Sequence, residues 1–168
     1  MHNTVLSERM FKILSDHLAE IEEKKDGIIK SFYADNAGAG MDIETFFREY
    51  TAEIGGCLEG ARVRKDAPDE CPLTIIGSTV EVKDLLDQDV YSYHIVLPYA
   101  HKAIRDMSYA SCLSPMGRAL LLKTVGSKVS IKTPADTFTY EVMSITLPGI
   151  DEENSRVQLY QVQAEVAF

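Results

Sequence analysis

Asp35, Asp42 and Glu44 are the acidic residues of a short stretch, Ala34 to Glu44, that interrupts two apolar periodicities. Two carboxylates presented together suit a hard cation such as Mg²⁺, which takes one or two carboxylates and keeps several waters. Such a pair would complete a metal site supplied mostly by another macromolecule. The same residues also have a purely structural reading. Asp42 suits a helix N-cap with Thr45 at N3, and Glu44 in a first turn is favoured by the helix dipole. Spacing bears on the choice, because residues at i and i+2 of a helix do not face each other. Asp42 and Glu44 therefore converge only if Asp42 remains in the loop.

Other chemistry is sparse. His2, His17, His94 and His101 have no metal-site spacing with the cysteines. Cys57, Cys71 and Cys112 are odd in number and widely spaced, which argues for a reducing compartment and against a disulfide framework. Cys57 falls on an apolar stripe and reads as a small buried hydrophobe.

Two helices must position the acidic stretch. Phe11, Leu14, Leu18, Ile21, Lys25, Ile28 and Phe32 recur at alternating steps of three and four, and Ile43, Phe47, Tyr50, Ile54, Cys57 and Ala61 repeat the pattern. Ser7 marks the start of the first helix. The small, Gly-rich joint between the stripes makes the helices antiparallel, an αα-hairpin over residues 1–66 with its tip near 34–44. Gly27, Gly55 and Gly56 weaken the helices. Arg64 to Pro72 carries two prolines and no periodicity and reads as a linker.

The second domain, 73–168, reads mostly as strands. Ser114-Pro115 opens one short helix, with Ser114 as cap and Pro115 in the first turn, where its missing N–H costs nothing. Gly126 supplies a turn. Lys128 to Thr133 alternates as a half-buried strand, and Phe138 to Ile145 returns after Pro134-Ala135-Asp136. Arg156 to Phe168 alternates again and is expected to add a C-terminal strand that covers a sheet edge or pairs with a second copy.

The segment Ser114-Pro115-Met116-Gly117-Arg118-Ala119-Leu120-Leu121, then Val125-Gly126 before paired strands, resembles the C-terminal domain of the Gre transcription elongation factors. Ile76-Gly77-Ser78-Thr79-Val80 is similar to the start of that family's sheet, and Gly56-Cys57-Leu58-Glu59-Gly60 to a stretch of its second helix. The resemblance implies an α+β fold: an N-terminal helical hairpin (coiled coil), then an FKBP-like antiparallel sheet domain with one short helix. It implies a bacterial, cytoplasmic protein that binds RNA polymerase, with the surface around Ser114, Pro115 and Met116 as the docking site. The hairpin would enter the secondary channel and stimulate cleavage of backtracked transcripts. Asp42 and Glu44 would then assist a Mg²⁺ shared with the polymerase. The protein would hold no cofactor alone and would be no enzyme itself, since the polymerase's own centre does the cleavage.

Two departures bear on mechanism. The family tip carries Asp-x-x-Glu, whereas here the residue three after Asp42 is Thr45 and the residue three before Glu44 is Met41. Leu97-Pro98-Tyr99-Ala100-His101-Lys102 resembles Rnk, a relative with a shorter coiled coil that binds polymerase without a cleavage-competent tip. A binding-only regulator is accordingly the alternative. Isomerase activity, which the FKBP-like fold raises, is disfavoured by the absence of Trp.

Composition narrows the partners. Seventeen basic against 26 acidic residues give a net charge of −9, which opposes general nucleic-acid binding. Contact with transcript RNA is thus expected to be indirect. No apolar run approaches the roughly 20 residues that span a bilayer, and no secretory signal is visible at the N-terminus, so no membrane partner is expected.

Overall fold

The computed structural model describes residues 4–35, 42–98 and 108–147. The chain divides into two compact units, Met1–Glu70 and Cys71–Phe168.

The first unit is a helical hairpin. Strand β1 (Val5–Leu6) leads into helix α1 (Glu8–Asp35), and helix α2 (Ile43–Gly60) is followed by strand β2 (Arg62–Val63). Ser7 starts α1 by accepting the Met10 N–H on its Oγ at 3.0 Å. At 28 residues, α1 is about 42 Å long. Helix α2 buries Ile43, Phe47, Tyr50, Ile54 and Cys57. Facing it, α1 buries Met10, Leu14, Ile21 and Phe32. Of the expected stripe, Phe11, Leu18, Lys25 and Ile28 are half-buried, and Met10 is fully buried beside Leu14. His17, half-buried like Leu18, also meets α2, with its ring against the Tyr50 hydroxyl, while Leu18 Cδ2 lies 4.0 Å from the Cβ position of Gly55.

The two ends of the hairpin are tied together. Strands β1 and β2 pair in parallel, Val5 with Arg62 and Leu6 with Val63. The Arg62 N–H donates to the Thr4 carbonyl at 2.8 Å and the Arg64 N–H to that of Leu6 at 2.9 Å. Two-residue strands have no periodicity to read, so this clasp is invisible in the sequence.

The second unit is a five-stranded sheet. Its strands are β3 (Thr79–Asp84), β4 (Val90–Val96), β5 (Ser108–Ser111), β6 (Lys128–Lys132) and β7 (Thr137–Thr146), in the order β5-β4-β3-β7-β6. Three pairings are antiparallel. The β4–β5 pairing is parallel, so the sheet is mixed at one edge rather than antiparallel throughout. Parallel neighbours cannot be joined by a tight hairpin, so β4 and β5 are not a hairpin pair. β6 alternates exposed and buried residues, with Val129 and Ile131 inward. Ile75, Ile76, Val80, Val82, Ile95 and Leu120 form the centre of the core. The expected strand 156–168, and the tract resembling Rnk from Tyr99 onward, lie outside the described residues. Among those described, no helix is long and apolar enough to cross a membrane.

Helix α3 (Pro115–Leu120) sits close to the end of β5. A Cβ on Gly117 would lie 1.9 Å from the Ser111 carbonyl oxygen and 2.8 Å from its carbon. Both are backbone atoms and cannot swing aside. Gly56, by contrast, has nothing within 4 Å of its Cβ position. Gly117→Ala is therefore expected to destabilise the sheet unit by about 2 kcal/mol or more through overpacking, whereas Gly56→Ala stabilises the hairpin by up to about 1 kcal/mol. Urea titrations of the two variants check both signs.

Candidate functional site

The tip begins with a capped helix. Asp42 has φ −87° and ψ 89°, outside the helical region. Its Oδ1 accepts the Thr45 N–H at 3.0 Å, and its Oδ2 accepts the Thr45 hydroxyl at 2.5 Å. Arg48 donates to the Thr45 Oγ1 at 3.3 Å. The Thr45 hydroxyl bond, followed by the Thr45 backbone N–H, holds the Asp42 carboxyl below its ordinary pKa. Glu44 is exposed in the first turn. Asp35 ends α1, while its side chain and residues 36–41 lie outside the described set.

Asp42 and Glu44 thus stand two residues apart at a helix start, and both oxygens of Asp42 are engaged by Thr45. Among the described residues no group of three or more His, Cys, Asp or Glu side chains could hold a metal ion. In any Mg²⁺ site, which takes one or two carboxylates, the capping bonds would compete for the Asp42 lone pairs.

Below the tip, His17 and Tyr50 meet across the hairpin. His17 Nε2 and the Tyr50 hydroxyl are 2.7 Å apart, and their rings are edge-on with centroids 6.0 Å apart. Phe46 stacks on Tyr50 at 6.2 Å. Tyr50 is 2% exposed. A polar pair inside an otherwise apolar seam favours one register over its neighbours. The sequence signal for this pair is His17 itself, at a helical step from both Leu14 and Ile21. Burial lowers the pKa of His17 to about 4, against a smaller raising influence of Glu20.

In the sheet unit, Ser114 caps α3. Its Oγ accepts the Gly117 N–H at 3.0 Å and donates to the Ser111 carbonyl at 2.7 Å. Pro115 is exposed and Met116 half-buried. Of the three expected docking residues, Ser114 therefore has its hydroxyl committed within the chain, and Pro115 offers the freest surface. Burial pushes the Cys112 thiol up to about 12 and raises that of Cys57, so neither is an activated nucleophile.

The His17 pair gives the hairpin a pH dependence of definite sign. Between pH 6.5 and about 4 the unfolded His17 binds a proton that the folded one does not, so stability rises with pH across that window. Lowering the pH from 7 to 5 is expected to cost the hairpin on the order of 1–2 kcal/mol. His17→Gln, which does not titrate, removes that part of the loss. Helical circular dichroism in urea at the two pH values checks it, and equal losses in wild type and variant would contradict it.

Residues 73–147 match the family model described as "Transcription elongation factor, GreA/GreB, C-term". Transcription elongation factor GreA of Thermodesulfovibrio yellowstonii is 40% identical over 70 residues, which are 42% of this chain and 43% of that protein. GreA of Chlorobium phaeobacteroides is 26% identical over 143 residues, 83% of this chain and 89% of that one. At 40% and 37% identity, the chain spans under half the length of the curated relatives it matches. Among solved structures, a GreA/GreB factor from Nitrosomonas europaea is 18% identical with a TM-score of 0.45, covering 86% of this chain and 99% of that one. Residues 73–147 thus form a domain similar to the C-terminal domain of the GreA/GreB transcription elongation factors.

Proposed function

We propose that the protein binds bacterial RNA polymerase as a GreA/GreB-type elongation factor, and the match of residues 73–147 carries this reading. The sheet unit docks through the surface around Ser114, Pro115 and Met116, chiefly the exposed Pro115. The α1–α2 hairpin enters the secondary channel. The chemistry belongs to the polymerase centre, and the protein is not itself an enzyme. With a net charge of −9, it meets transcript RNA only through the polymerase. Its place is the cytoplasm, with its partner.

Two actions are open to such a hairpin. In cleavage stimulation, Asp42 and Glu44 help to hold a Mg²⁺ shared with the polymerase. In binding-only regulation, the hairpin occupies the channel and limits synthesis or excludes other channel factors. The cap geometry favours the second, because Thr45 engages both Asp42 oxygens and Glu44 lies two residues on rather than three.

A backtracked-complex assay decides between them. Asp42→Asn with Glu44→Gln removes both charges, and Asn remains a good N-cap. Wild type and double variant are expected to leave the 3′ end of the RNA equally long while slowing elongation equally. Shortening by the wild type that the double variant loses would establish cleavage stimulation instead.

A further inference from the structure

Beside the two carboxylates of the tip, α2 carries a cation that neither action of the hairpin uses. Arg48 is exposed. It stands four residues after Glu44 and three after Thr45, the two spacings at which helix side chains are neighbours. Its Nη2 donates to Thr45 Oγ1 at 3.3 Å, and that hydroxyl donates in turn to Asp42 Oδ2 at 2.5 Å. Asp42, Thr45 and Arg48 therefore form one chain of hydrogen bonds, from anion through hydroxyl to cation. Such a chain polarises its members. Among the described residues Arg48 is in no ion pair, so its charge acts on the tip.

The cap by itself does not close Asp42 to a metal. A carboxylate offers about four lone-pair sites, and Thr45 takes two of them. The fixed cation changes the balance. A divalent ion at Asp42 or Glu44 would come within about one helical turn of the guanidinium, and like charges repel in proportion to their product. Behind the two Thr45 bonds, the Arg48 charge helps to hold the Asp42 carboxyl below its ordinary pKa, so its field reaches that group. Mg²⁺ gives up its waters reluctantly and gains little from two carboxylates with a cation beside them. The described tip does not fit the Mg²⁺ that the Gre resemblance implies.

We propose that Arg48 is the built-in counter-cation of the tip, which disfavours Mg²⁺ at Asp42 and Glu44 and so sets the hairpin to occupy the channel rather than to assist cleavage. The inference deepens the channel reading and rests on it for that consequence. The exclusion of the metal is a property of the free chain.

The test is a Mn²⁺ titration of the full chain, read as paramagnetic broadening of the Asp42 to Thr45 amide signals. Mn²⁺ stands for Mg²⁺ because both take oxygen ligands. Arg48→Ala is expected to broaden these signals at a Mn²⁺ concentration about threefold or more below that needed for wild type. Asp42→Asn added to Arg48→Ala is expected to abolish the gain, and Arg48→Lys, which keeps the charge, to behave as wild type. Equal midpoints for wild type and Arg48→Ala would overturn the proposal, as would Arg48→Lys following Arg48→Ala. Polymerase binding is read separately, so failure of the channel reading and failure of this proposal are told apart.

Discussion

A helix begins with backbone N–H groups that have no partner within it, and at α2 Asp42 takes up that deficit through Thr45. The start of α2 fixes the rotation of everything after it. Ile43, Phe47, Tyr50, Ile54 and Cys57 fall on one side because the helix starts where it does. That side carries the Tyr50 hydroxyl to His17, and the parallel β1–β2 clasp ties the opposite end of the hairpin. The carboxylate that starts the helix is also the one on which a metal-assisting role would depend. Asp42 can serve both only by sharing lone pairs between Thr45 and an ion, and this competition shapes the functional reading of the tip.

The sheet unit depends on a second local constraint of a different kind. Ser111 ends β5, and its carbonyl oxygen accepts from both the backbone N–H and the hydroxyl of Ser114. The first turn of α3 then passes so close to Ser111 that position 117 has no room for a side chain. The segment that resembles the Gre C-terminal domain is, in physical terms, a tight strand-to-helix corner. Serine closes it, proline starts the helix and glycine allows the approach. The result leaves Pro115 outward and Leu120 in the core.

What could be read from the sequence follows from how local each signal is. The stripe on α2 was legible because its apolar residues repeat at helical steps, and all but Ala61, which lies beyond the helix end, are buried. The caps Ser7, Asp42 and Ser114 were legible because a cap is set within three residues of itself. The stripe on α1 was legible at Leu14, Leu18, Ile21 and Phe32, whereas His17, which meets Tyr50 33 residues away, carries no apolar mark of that partner. The β1–β2 clasp and the parallel β4–β5 pairing were illegible for the same reason: each joins segments that carry no mark of their partner. The carboxylates of the tip were found by type and position, but their commitment to Thr45 is a matter of geometry that spacing alone leaves open.

Binding to RNA polymerase core enzyme tests the central claim most directly. Wild type, Pro115→Asp and the Asp42→Asn, Glu44→Gln double variant would be compared by affinity, with helical content measured for each. The docking account predicts that Pro115→Asp weakens binding tenfold or more, by about 1.4 kcal/mol or above, while the double variant binds within about twofold of wild type. No binding by the wild type, or binding lost with the tip charges and kept by Pro115→Asp, would contradict it.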